Sequence, residues 1–296
     1  MMRSNRFVGL AIGLAIALAA APVWAQKKKP AAAKPAGAKP APAPPAPPPM
    51  TVDLPATRKD LFSEDGDRAA AAANKLGQSR QAGALDALLD ALAMGLSPSV
   101  AVAALDAVAM HRDGKSLDVL LHYAKNRNVQ LRGKAVAALG GLEDKKARTA
   151  WTAAFADGDK GVRAMACKVA ETRKDRETVD QLLALLKKGD EATSTALAAV
   201  ANADVARRVA ELVGEAPDGL VAETLGKISL RTDLGKEDVY VEIVRAIGKI
   251  PGDEAVVALS AYIAAVGEKS FRQSKREAQM LYEQRIGGGQ PEGGGQ

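Results

Sequence analysis

The stretch Leu131-Arg132-Gly133-Lys134-Ala135-Val136-Ala137-Ala138-Leu139-Gly140-Gly141-Leu142-Glu143-Asp144 decides the fold. Leu131, Ala135, Val136 and Leu139 share one face of a helix with 3.6 residues per turn, and Asp144 sits where a tight turn opens the next helix. The pattern returns at a fixed interval, upstream as Val100, Ala104, Leu105 and Val108, downstream as Val162, Ala166, Cys167 and Ala170. Asp113, Asp144 and Asp175 fall at one position of the repeat, as do Leu120, Trp151 and Leu182 on a second apolar face, which Phe155 extends in the middle unit. Asn128, Asp159 and Asp190 stand where a side chain would cap the next unit's first helix. A helix pair this short cannot bury its face alone, so the units must stack. The expectation is an all-α protein, an α-α superhelix of six or seven units.

The register decays outward. Ala72, Leu76-Gly77 and Leu88 fit an upstream unit beginning near Arg68, and Leu197, Val200 and Ala201 fit a fourth near Thr193. The best downstream match starts at Val239 and runs through Ile243, Val244, Ile247-Gly248 and Ile250 to Leu259. Between them residues 203–238 are degenerate. Val221, Leu225-Gly226 and Ile228 read as a first helix, with either a lost second helix or an irregular connection over residues 216–236. A final charged helix, from Phe271 to Tyr282, reads as an end cap of the array, with a docking helix for a partner as the alternative.

Residues 131–144 and Val162-Arg163-Ala164-Met165-Ala166-Cys167-Lys168-Val169-Ala170 resemble HEAT repeats, of the short kind, about 30 residues long, also found in phycobilisome-lyase-like proteins. Ala246-Ile247-Gly248-Lys249-Ile250-Pro251-Gly252-Asp253 resembles the same turn. The resemblance implies an α-solenoid that serves as a binding surface or scaffold. Some HEAT-like arrays are enzymes. Deoxyhypusine hydroxylase holds two irons with His-Glu pairs, and this chain has no His-Glu dipeptide, only His111 and His122. The likeness to that enzyme stops at the scaffold.

The ends of the chain have a different composition. Arg3 and Arg6 precede an uncharged stretch at residues 7–23, and Val23-Trp24-Ala25 has the small residues of a signal-peptidase site. Residues 1–25 are therefore expected to be a signal peptide, with an exported, periplasmic or secreted product and no membrane span after cleavage. Residues 26–50 are expected to be a disordered linker. Within them, residues 27–49 hold nine Pro, eight Ala, five Lys and one Gly, a composition with nothing large to bury. The linker is read as a spacer with weak adhesion to anionic surfaces. The repeat domain is placed at residues 51–286 and a Gly-rich disordered tail at 287–296.

Seven of the 41 Lys and Arg lie in residues 1–50 with none of the 35 acids, leaving 34 basic against 35 acidic residues in 51–296. The repeat domain is thus neutral, without the positive footprint of a nucleic-acid-binding domain. A single Cys excludes an intrachain disulfide and a cysteine-rich zinc site, and aromatics at 3% weaken any stacking platform.

No catalytic, cofactor or metal site emerges. His111 and His122 are too far apart in the chain for the one-turn helical spacing that would bring two imidazoles together, and read as structural. Cys167 replaces Leu105 and Val136 of the neighbouring units and reads as core. Glu64-Asp65-Gly66-Asp67 and Asp157-Gly158-Asp159 are too short for a calcium loop and read as caps. The structural core is expected to comprise Val100, Ala104, Val108, Leu120, Leu131, Ala135, Leu139, Trp151, Phe155, Val162, Ala166, Cys167, Leu182, Ile247 and Leu259. The function expected is a non-enzymatic protein- or peptide-binding scaffold of the cell envelope. Its concave side would be lined by second helices, with Lys125, Thr152, Lys187 and Lys188 as candidate contacts. The alternatives are a lyase-like enzyme or accessory domain, and adhesion to cell-wall polymer or nucleic acid through the basic N-terminal segment.

Overall fold

The computed structural model describes residues 51–268 and 270–287. The chain divides into Met1–Pro47 and Pro48–Gln296, and the described residues belong to the second unit. The expected signal peptide and linker, and the expected Gly-rich tail apart from Gly287, lie outside them.

Among the described residues the secondary structure is helical. A short α1 (Leu54–Asp60) precedes seven pairs. These are α2 (Gly66–Gln78) with α3 (Ala84–Met94), α4 (Pro98–His111) with α5 (Leu117–Tyr123), α6 (Val129–Leu139) with α7 (Lys145–Ala153), and α8 (Lys160–Arg173) with α9 (Val179–Lys187). Then come α10 (Thr193–Val200) with α11 (Ala203–Ala210), α12 (Asp218–Ser229) with α13 (Glu237–Lys249), and α14 (Asp253–Val266) with α15 (Gln273–Gly287). The fold is an all-α array of HEAT-like helical pairs.

The pairs stack in two rows. First helices pack side by side in the order α2, α4, α6, α8, α10, α12, α14. Second helices form the other row. They touch sparsely from α3 through α7 and pack firmly from α11 through α13 to α15. The core lies between the rows. Every core position read from the repeat, from Val100 to Leu259, is buried there.

The repeated Asp and Asn residues set the helix starts. The Asn128 carboxamide accepts from Gln130 and Leu131 N–H, Asp144 from Lys146 and Ala147, and Asp159 from Gly161 and Val162. Asp113 and Asp175 do the same for short 3₁₀ turns that lead into α5 and α9. Each side chain satisfies donors that the first turn of a helix leaves open, worth about 1 kcal/mol per cap.

The degenerate stretch resolves into a complete pair. α12 stacks between α10 and α14, and α13 stacks between α11 and α15, so neither helix is missing. The pattern at Val239 resembles a first helix yet occupies the second row, and Leu259 lies on α14 in the first row. The motif reports close helix packing, and from α11 onward that packing occurs in both rows.

Candidate interaction face

Small residues bring the first helices together. A Cβ placed on Gly77 would lie 2.8 Å from Ala107 Cα, and one on Gly140 would lie 2.5 Å from both Val169 Cγ atoms. On Gly226 it would meet Ala258 Cβ at 3.0 Å. Each glycine lies near the end of one helix and against the next helix of its row. Gly248 repeats the arrangement in the second row, where its Cβ would come 2.7 Å from Leu281 Cδ1.

Basic side chains latch the same helix ends. His111 Nε2–H donates to Leu76 O at 3.1 Å, Arg173 donates to Gly140 O at 2.9 Å, and Arg231 donates to Ala198 O and Ala199 O at 2.8 and 2.7 Å. Arg285 donates to Gly248 O at 2.9 Å and also to Ile250 O. Each of these groups meets the carbonyl-rich end of a helix in the preceding unit, where partial negative charge accumulates. His111 is therefore part of the packing.

A second set of ion pairs ties the units together. Arg132 makes a two-pronged contact with Asp157, at 2.7 and 2.9 Å, and also donates to Asn126 O. Arg163 repeats it one unit later, donating to Asp190 at 2.7 Å and to Asp157 O at 3.0 Å. The Arg132 guanidinium holds the Asp157 carboxyl below its ordinary value, against the opposing effect of burial. Asp157 in the acidic turn thus serves the stack, and Asp65 in the other acidic turn caps α2.

Three hollows open along the first-helix row. One of about 710 Å³ lies where the ends of α2 and α4 meet, beside His111 and Arg112. One of about 510 Å³ crosses α4, α6 and α8, over Ala137, Met165 and Thr172. A third, of about 660 Å³, crosses α12 and α14 and is the most apolar of the three, with Leu230 and Val257 at its surface. A further polar hollow of about 620 Å³ lies beside the turns that follow α8 and α12, among Arg148, Lys174, Arg176 and Arg231, with Asp175, Glu177 and Asp233 interleaved.

The four residues picked from the second helices do not converge. Lys125 is exposed beyond α5. The Thr152 hydroxyl donates back to Arg148 O and Thr149 O within its own helix, and Lys187 pairs with Glu215 at 2.9 Å. Lys188 edges a hollow of about 290 Å³ with Phe155 and Leu185. Sequence reasoning missed Leu230 and Val257. The available signal was that Val257 lies off the apolar stripe of Ala255, Ala258, Leu259 and Tyr262.

Cys167 is buried in α8, and burial pushes its thiol up to about 12, which keeps it protonated and unreactive at neutral pH. His122 is exposed, with its ring edge-on to Tyr123, while Tyr123 OH donates to Leu92 O at 2.9 Å. Among the described residues no three His, Cys, Asp or Glu side chains gather as metal ligands. No helix among them is long and apolar enough to cross a membrane.

No protein-family model matches this chain, and no curated protein matches it. Among solved structures, the complex of CpcE and CpcF of phycocyanin lyase from Nostoc sp. PCC7120 contains a similar chain. It is 17% identical at a TM-score of 0.42, over 83% of this chain and 98% of that one. An engineered protein is similar at 18% identity and a TM-score of 0.30, over 82% of this chain and 100% of that one. Likeness at this level bears on the fold and on nothing else. The expectation that the chain is not an enzyme is nevertheless corrected here. That expectation rested on the missing His-Glu pairs and catalytic motifs, and such an absence does not exclude an enzymatic role.

Proposed function

We propose that the chain is a binding module that holds a protein partner on the open face of its first-helix row. One observation carries this reading: three hollows lie along that row, on a surface kept low by alanine and glycine. Where alanine and glycine floor these hollows, between longer side chains at their rims, a partner's backbone can come close. The reading differs from the sequence expectation in the row it names, and it makes no exclusion of catalysis. Service as an enzyme subunit that presents a bound protein is the second reading, and the same face would perform it. Export to the envelope belongs to the proposal too, on the strength of residues 1–25.

Photo-crosslinking from single positions tests it. A crosslinking residue placed at Ala137, Thr172 or Ala261 in the full chain is expected to trap one protein species in the source cells. The same residue at Lys125 or Lys187 is expected to trap none. Crosslinks confined to the second-helix positions would overturn the proposal.

A further inference from the structure

The groove across α12 and α14 differs from its neighbours in charge. Leu230 and Val257, 47% and 65% exposed, form its apolar surface together with Ala261. Glu191, Glu223, Asp253 and Glu254 rim it, against one cation, Lys227. Lys227 is already engaged, with Glu223 at 2.7 Å and with Thr195. Glu191, Asp253 and Glu254 make no salt bridge among the described residues. The hollow of about 510 Å³ on the same row is mixed instead, with Arg112, Lys168 and Arg173 beside Glu143. The repeat domain as a whole is close to neutral, so this acidity is local.

We infer that this groove receives a segment of a partner protein that places one or two aliphatic side chains between lysines or arginines. The inference rests on the binding-module reading and deepens it. Apolar surface next to unpaired carboxylates is costly to leave in water on one count and well solvated on the other. A segment with matching chemistry covers the first and neutralises the second. Burial of the aliphatic anchors supplies affinity, and the carboxylates select basic flanks and speed encounter. A hydrophobic segment with acidic flanks is repelled by the same rim. The groove is open at the surface, which suits a chain segment better than an enclosed small molecule.

The test uses a phage library of random dodecapeptides selected on residues 1–296. The selected peptide is then measured by fluorescence anisotropy. Enriched sequences are expected to carry Leu, Ile or Val between Lys or Arg. Val257→Asp is expected to weaken the best peptide about tenfold or more, and Glu254→Lys about fivefold. Added salt is expected to weaken it further. Met165→Asp, in the hollow across α4, α6 and α8, is expected to leave it unchanged. Both Val257 and Glu254 are exposed, so thermal melts should confirm that the variants fold. Enrichment of acidic or uncharged peptides, no enrichment, or binding indifferent to Val257→Asp would each overturn the inference. Peptides that respond to Met165→Asp alone would overturn the groove and leave the binding-module reading standing. Crosslinks confined to the second helices would overturn the binding-module reading and the inference with it.

Discussion

The middle of the array, α4 to α9, and its end, α12 to α15, are the same architecture held by different means. In the middle each turn closes on itself. Asp113, Asn128, Asp144, Asp159 and Asp175 accept from backbone N–H groups two or three residues ahead. At the end, α12, α13 and α14 begin without a side-chain bond from the residue before them. Long-range contacts take over. Glu237 accepts from Ser274 N–H at 2.9 Å and from the Ser274 hydroxyl, and Tyr262 OH meets that hydroxyl at 2.7 Å. The buried Lys275 ammonium donates to Gly267 O and Glu268 O at 2.7 and 2.9 Å. Internal units have a neighbour on both sides, and stacking supplies most of their stability, so local caps suffice. The last unit has one neighbour, and a polar clasp that spans two pairs fixes its final helix.

The largest expected contrast is at the close-packing glycines. Gly140→Ala would drive a Cβ against the Cγ atoms of Val169, a side chain stiff at χ1. We expect a loss of about 2 kcal/mol in urea unfolding. Gly248→Ala meets only the flexible tip of Leu281 on the end helix, and the gain in helix propensity of about 1 kcal/mol offsets it. Equal losses at the two positions would mean that the rows are equally tight, against the difference described. Ser274→Ala comes next, at about 1–2 kcal/mol, because it strips a partner from the buried Tyr262 hydroxyl. Amide hydrogen exchange should show α15 losing protection while α6 and α8 keep theirs. Uniform loss along the array would show that the clasp serves the whole stack.

The same contrast explains what could be read from the sequence. A cap whose partner is close in the chain leaves its signature in a short window, and repetition at a fixed interval made Asp113, Asp144 and Asp175 visible. Burial followed from periodicity for the same reason. The clasp left no such trace, since Glu237 and Ser274 are 37 residues apart and occur once. Within the pair α12–α13, α12 was legible as a first helix, and α13 was misplaced because Ile247-Gly248 repeats the packing motif in the second row. The interaction face was hidden for another reason. Periodicity finds what is buried, while Leu230 and Val257 are defined by being left out of the core. His111 could be recognised as structural, but its bond to Leu76 O depends on the stacking of two units.

Asp144→Ala sharpens the comparison at smaller scale. It removes a cap to Lys146 and Ala147 N–H and should cost about 1 kcal/mol, measured by thermal melt. A loss well above that would mean that local caps in the middle are cooperative across units.

Acidification should separate the two regions by less still. Asp157 has a folded pKa below its unfolded value because Arg132 stabilises the carboxylate. The stability from that pair is therefore complete above the ordinary aspartate range and disappears as the pH falls through the lower, folded value. Glu277 is lowered as well, through Arg245, in the end region. The pairs differ in screening. The two carboxylates are similarly covered, Asp157 at 16% and Glu277 at 18% exposed, but the Arg132 side chain is 18% exposed and Arg245 56%. Salt reaches the second pair and largely spares the first. The stability to urea unfolding followed from about pH 5 to pH 2 should fall less in Asp157→Asn than in the unsubstituted chain, by at most about 1 kcal/mol, and should do so at both low and high salt. Glu277→Gln should flatten the curve only at low salt. If high salt abolished the Asp157→Asn difference too, the Arg132 pair would be a solvated surface contact, and the ladder of Arg132 and Arg163 would lose its place in holding the middle units together.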